Sequence, residues 1–62
     1  MTTGKAIRAL RIKAGMTQAK LAQLAGITFQ QLSKYERGIH DPRLAILRKL
    51  AAALGVPPGS LV

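Results

Sequence analysis

Residues Thr17 to Gly38 read TQAKLAQLAGITFQQLSKYERG, and the fold of the chain turns on how this stretch divides. Its apolar or near-apolar positions are Leu21, Ala22, Ala25, Ile27, Leu32 and Tyr35. That spacing predicts two short helices packed steeply around a turn at Gly26, because glycine enters the left-handed conformation a tight turn requires. Ala22 is small where the helices would cross. Thr17 is a good N-cap for the first helix, which should end near Ala25. Thr28 caps the second, from Phe29 to about Arg37, and Gln31 three residues on completes a capping box. Gly38 stops it. At 100° per residue, Leu32, Tyr35 and Glu36 share one side of this second helix, and Gln30, Ser33, Lys34 and Arg37 share the other.

The same reading extends in both directions. Upstream, a helix should begin at Thr2 or Thr3 and end at Gly15, with Ile7, Leu10 and Ala14 facing inward. Lys5, Arg8 and Lys13 face outward, and Ile12 falls off the inward stripe. Downstream, Ile39 to Arg43 reads as a loop, and Pro42 marks the restart of helical sequence. A fourth helix spans Leu44 to Leu54 and stops at Gly55, burying Leu44, Leu47, Leu50, Ala51 and Leu54, with Arg48 and Lys49 outside. Leu24 should join the core in part. Pro57 and Pro58 limit the last segment to about one 3₁₀ turn that tucks Leu61 against the core. The expected architecture is all-α, a compact arrangement of five helices in a single domain, 1–62, with the last helix short.

Sixty-two residues with 48% hydrophobic content suffice for one small core and exclude a wholly disordered chain. There is no cysteine, hence no disulfide or thiolate zinc site, which fits a cytoplasmic protein. No apolar run approaches the ~18 residues that would span a bilayer. Ten Lys and Arg stand against two acids, a formal net charge of +8. Such a balance points to a polyanionic partner, since neutralising phosphates releases condensed counterions. The cations are spread over several helices rather than set opposite one apolar stripe, which argues against a membrane surface.

Chemistry of other kinds finds few residues to work with. Glu36 and Asp41 are the only carboxylates and His40 the only histidine. Neighbours in a loop, such as His40 and Asp41, seldom reach the geometry of a base and its orienting partner, so catalysis is not expected. Metal binding fails on ligand count, and no cofactor is implied. Glu36 is the one acid on a predicted helix and lies toward its buried side. Arg11, one turn past Ile7, can reach the same side, so an Arg11–Glu36 ion pair joining the first and third helices is expected. Lys20 occupies the third position of the second helix, where a cation opposes the helix dipole by ~0.3–1 kcal/mol. A phosphate bound there would turn that liability into attraction; a tolerated surface lysine explains it equally well.

Taken together, the two-helix unit, its polar outward face and the basic balance fit a helix-turn-helix that binds duplex DNA. The chain resembles the Cro/repressor-type helix-turn-helix family, also called XRE. The resemblance rests on Leu10-Arg11 followed by Gly15, Thr17-Gln18-x-x-Leu21-Ala22 and Gly26-Ile27-Thr28. It continues through Ser33-Lys34-Tyr35-Glu36-Arg37-Gly38, Pro42 and Leu50-Ala51-x-Ala53-Leu54-Gly55-Val56. It covers essentially all 62 residues.

This resemblance implies a repressor-like regulator of bacterial or phage origin that binds operator DNA, usually as a two-fold homodimer. Thr28, Phe29, Gln30 and Lys34 match positions that approach bases, and Ser33 and Arg37 match flanking positions. Thr17 and Gln18 match the start of helix 2, where the family holds the DNA backbone. Arg43 matches a position that approaches the minor groove in some repressors, and Arg11 and Glu36 match the family's interhelical ion pair. By donor and acceptor chemistry, Gln30 suits adenine, Lys34 suits guanine, and Phe29 offers either contact with a thymine methyl or packing beside Gln18. Lys20, Arg37 and Arg43 suit phosphates. Two features depart from the family: Lys20 replaces a frequent acid, and the final segment lacks a capped amphipathic helix that often contributes to dimerisation. Ile39, Ile46, Leu61 and Val62 are the apolar residues expected to form a small patch in its place. Alternatives are an operator-binding antitoxin and a protein-interaction adaptor or coactivator on the same fold.

Overall fold

The computed structural model describes residues 3–62. Four α-helices, α1 (Thr3–Lys13), α2 (Gln18–Ala25), α3 (Phe29–Glu36) and α4 (Leu44–Leu54), are followed by a 3₁₀ turn, Pro58–Leu61. The described residues contain no strand, and no helix is long and apolar enough to cross a membrane. Every element sends at least one side chain into a single core: Ala6 and Ile7, then Leu21, Ala22 and Ala25, then Leu32, then Leu47, Leu50 and Ala51, and finally Leu61. Helix α2 packs on α4 and α3, α1 on α3, and the 3₁₀ turn closes over α4 and α1.

Capping defines the short elements. The Thr17 hydroxyl accepts from the Lys20 N–H at 3.1 Å. At α3 both halves of the capping box form: Thr28 Oγ1 accepts from Gln31 N at 3.1 Å, and Gln31 Oε1 accepts from Thr28 N at 3.0 Å. Gly26 ends α2 with φ +70°. Its N–H bonds to the Gln23 carbonyl and that of Ile27 to the Ala22 carbonyl, the paired bonds of a Schellman motif. The same pattern recurs at Gly15, Gly38 and Gly55, each followed by an apolar residue.

Several expectations are revised. An N-cap at Thr2 lies outside the described residues, and Thr3 sits within α1 rather than before it. Ala14 is exposed, because α1 ends at Lys13 and the chain is already turning toward Gly15. Arg37 is the C-cap of α3, so the helix closes one residue earlier than its pattern suggests. Leu44 is 58% exposed and Leu24 49% exposed. Leu44 begins α4 one turn before Leu47, and neither it nor Leu24 belongs to the apolar cluster. Leu61 is fully buried, as expected of the 3₁₀ turn that carries it, which removes it from the surface patch, and Ile46 is partly buried against the core.

The Arg11–Glu36 pair is present and more elaborate than spacing suggests. Arg11 Nε donates to Glu36 Oε2 at 2.8 Å and Nη2 to Oε1 at 3.0 Å, a two-pronged contact. Its third prong, Nη1, donates to the Met16 carbonyl at 2.9 Å. Gln18 Nε2 adds a bond to Glu36 Oε1 at 3.1 Å. The side chains retain 11% and 2% of their exposure, so the carboxylate lies out of water with both oxygens satisfied. Through Arg11 and Glu36 the cluster ties together α1, the turn after it, the first residue of α2 and the last of α3.

Gly4 makes a second link between α1 and α3 that periodicity does not reveal. A Cβ there would stand 2.1 Å from the Tyr35 carbonyl oxygen and 3.1 Å from its carbon, both backbone atoms. Only glycine lets the two helices approach this closely. In an open helix Gly→Ala stabilises by up to ~1 kcal/mol; here we expect Gly4→Ala to destabilise by about 1–3 kcal/mol, as overpacking does. Urea unfolding reads the sign directly. Arg11→Leu should lower stability by about 3–5 kcal/mol by stranding a buried carboxylate, while Arg11→Leu combined with Glu36→Leu should recover most of that loss. A full double-mutant cycle by urea unfolding checks it; equal destabilisation by single and double variants would count against the account.

Candidate nucleic-acid interface

Helix α3 is anchored by the side it buries. Leu32 has no exposed surface and Glu36 retains 8%. Tyr35 packs partly against the core between them. With that side held, the opposite one is directed outward: Gln30, Lys34 and Arg37 are exposed and Ser33 is half-buried. Arg37 Nε rests 3.4 Å from the Ser33 carbonyl, a long contact that leaves the other guanidinium nitrogens uncommitted. Phe29, the first residue of α3, keeps 49% of its surface exposed.

The remaining residues singled out from the sequence fall into distinct surroundings. Thr17 and Lys20 lie exposed on the first turn of α2, where the hydroxyl of one caps the backbone of the other. Gln18 is half-buried and its amide is bound to Glu36, so it helps to build the scaffold. Thr28 is exposed, but its hydroxyl belongs to the capping box: it accepts from Gln31 N and approaches Gln31 Oε1 at 3.3 Å. Arg43 is the exposed N-cap residue of α4 and makes no side-chain cap.

An open cleft runs between α3 and the start of α4, lined by Gln31, Lys34, Tyr35, His40, Asp41, Arg43 and Ile46. It brings Lys34 and Arg43 to one site although they come from different elements. It also brings in Gln31, which the sequence reading assigned to the cap alone. The gap is physical: a local i to i+3 pattern reveals the cap, whereas the Gln31–Arg43 proximity depends on how the α3–α4 loop folds back. The Gln18–Glu36 bond escaped for the same reason, since the two residues are far apart in the chain.

Electrostatically, the two acids are divided between interior and surface. Glu36 is buried against Arg11, which leaves Asp41 as the one exposed acidic side chain in a chain of formal charge +8. The outward side of α3 and the first turn of α2 therefore present donors and positive charge with a single nearby anion to offset them. Among the described residues, no group of three or more His, Cys, Asp or Glu side chains could hold a metal ion.

Comparison with known proteins places this geometry. A helix-turn-helix family model matches residues 7–61. An uncharacterised HTH-type transcriptional regulator of Sinorhizobium medicae is 43% identical over 54 residues, covering 87% of this chain but only 39% of that protein's length. Among solved structures, the restriction-modification controller protein C.AhdI from Aeromonas hydrophila superposes with a TM-score of 0.94 at 35% identity, covering 97% of this chain and 91% of that one. The P22 c2 repressor, solved in complex with synthetic operator 9T, gives a TM-score of 0.93 at 32% identity, with 100% and 94% of the two chains covered. With a family model spanning nearly all of its residues and a phage repressor and a controller protein reproducing its architecture, the chain belongs to the Cro/repressor-type helix-turn-helix family of transcription regulators.

Proposed function

We propose that this chain is the DNA-binding unit of a sequence-specific transcription regulator, repressor-like in action, with α3 lying in the major groove of its operator. The observation that carries the reading is the division of α3 into two sides. Leu32 and Glu36 lock one side into the core, and Gln30, Lys34 and Arg37 stand exposed on the other. A helix so held can present base-reading groups in a fixed register. The P22 c2 repressor, whose structure was solved with an operator, has the same architecture. The chain spans about two fifths of the length of the Sinorhizobium relative.

Roles follow from chemistry and placement. Gln30 bonds bidentately to adenine N6 and N7, and Lys34 donates to guanine O6 and N7. The exposed ring of Phe29 covers a thymine methyl. Lys20, Arg37 and Arg43 neutralise phosphates, and the first turn of α2, capped by Thr17, approaches the backbone with its unbonded N–H groups. Ser33 flanks the base-reading side, and Thr28 sets the entry of α3. Two copies on a pseudo-palindrome would place their α3 helices in successive major grooves, about 34 Å apart. Ile39, Leu44 and Val62, exposed by 55%, 58% and 74%, supply apolar surface for the contact between copies.

Selection from a randomised duplex library at roughly physiological salt tests this reading, and a two-fold symmetric motif is the expected result. No enrichment above salt-sensitive background would overturn it. On the selected site, Lys34→Ala should cost about 1–3 kcal/mol and relax preference at one base pair. Lys20→Ala and Arg43→Ala should instead weaken all sequences alike and each reduce the slope of log K against log salt by about 1. Fluorescence anisotropy over a salt series separates the two classes.

A further inference from the structure

Gln31 has a side chain committed at one end only. Its Oε1 accepts from the Thr28 N–H at 3.0 Å, and because a backbone N–H can only donate, the amide oxygen must face that partner. The amide nitrogen is thereby turned away from the helix cap. Among the described residues Nε2 makes no hydrogen bond, and Gln31 is exposed on the wall of the cleft that Lys34 and Arg43 also line. Two donors are held in place by the same contact that caps α3, so little rotamer entropy remains to be lost on binding. The Thr28 hydroxyl is in the opposite position, since its oxygen accepts from Gln31 N and its hydrogen is directed at Gln31 Oε1.

We propose that Gln31 contacts DNA directly, donating from Nε2 to an acceptor on the duplex while its Oε1 holds the α3 cap, and that Thr28 acts as the positioning residue for it. This rests on the DNA-binding reading given above. The acceptor is an oxygen or ring nitrogen of DNA: a phosphate oxygen, or a base-edge group such as guanine O6 and N7 or thymine O4. Both carry lone pairs and no competing donor, and both suit a cleft that Lys34 and Arg43 make positive. Asp41, on the same cleft, would disfavour a bare phosphate and leave a neutral base edge unaffected. His40, Tyr35 and Ile46 complete its lining.

The decisive variants separate capping from contact. Gln31→Glu keeps an acceptor oxygen for the Thr28 N–H and places an acid in the first turn, so folding is retained. It removes both donors. Gln31→Met removes the donors without adding charge and is measured at a temperature where urea unfolding shows it folded. Gln23→Glu, on the exposed surface of α2, makes the same charge change away from the cleft. Binding to the selected duplex should fall about three- to tenfold for Gln31→Met, the loss of a neutral hydrogen bond. It should fall further for Gln31→Glu, and by much less for Gln23→Glu. A uniform loss across duplex sequences identifies a phosphate as the acceptor, and a changed preference at one base pair identifies a base edge. Thr28→Val, which removes the cap hydroxyl, should lower binding about as Gln31→Met does, and Thr28→Ser should rescue it, because a serine hydroxyl can still cap.

If Gln31→Met binds every duplex as the parent chain does, or if Gln31→Glu loses no more than Gln23→Glu, the proposal is overturned and Gln31 serves the cap alone. Failure of the parent chain itself to bind duplex above background overturns the DNA-binding reading along with it.

Discussion

The contact on which the rest of the structure depends is the bidentate pairing of Arg11 with Glu36, extended by the Met16 carbonyl and the Gln18 amide. Helices α2 and α3 have eight residues each, too few to be stable in isolation. Only Leu32 and Glu36 of α3 are buried, so apolar burial alone would leave its rotation weakly determined. A planar guanidinium meeting a carboxylate through two bonds has one favourable geometry, and here that geometry sets the rotation of α3. The pair adds little net stability relative to a well-packed apolar pair. Its contribution is orientation, and orientation is what a helix needs if four or five outward side chains are to meet bases in register.

Small size makes termini as consequential as the core. Four helices carry many end groups whose backbone hydrogen bonds the helices cannot satisfy themselves. Threonine hydroxyls cap α2 and α3, and all four helices end in glycine followed by an apolar residue that folds back. Among the described residues no buried side-chain polar atom lacks a partner. Such complete satisfaction lets ten buried apolar residues hold five elements together. Gly4 adds a different economy: without a side chain, α1 lies against the backbone of α3 itself. The scaffold beneath the outward side of α3 is therefore backbone and ion pair as much as hydrophobic core.

The same features connect stability to recognition. Placing Glu36 in the interior satisfies Arg11 and simultaneously removes an anion from the surface that would meet phosphates. Gln31 is treated alike, one end in the cap and the other in the cleft beside Lys34 and Arg43. Side chains with two chemically distinct ends let a chain of this length support α3 and furnish its exposed side with the same residues.

Much of this was legible in the residues themselves, because it depends on local spacing. Helix bounds followed from Thr17, Thr28, Gly26, Gly38 and Gly55, the core from period 3.6 through Leu21, Leu32, Leu47 and Leu50, and the basic character from composition. Even the Arg11–Glu36 pair could be anticipated, since Glu36 was the single acid on an inward side. What local spacing cannot determine is which elements approach closely and where a layer of the core ends. The exposure of Leu44 and Leu24, the closeness of Gly4 to the Tyr35 carbonyl and the sharing of one cleft by Gln31, Lys34 and Arg43 all depend on such approaches. These arise from the three-dimensional path of the turns between helices, through which residues distant in the chain become neighbours.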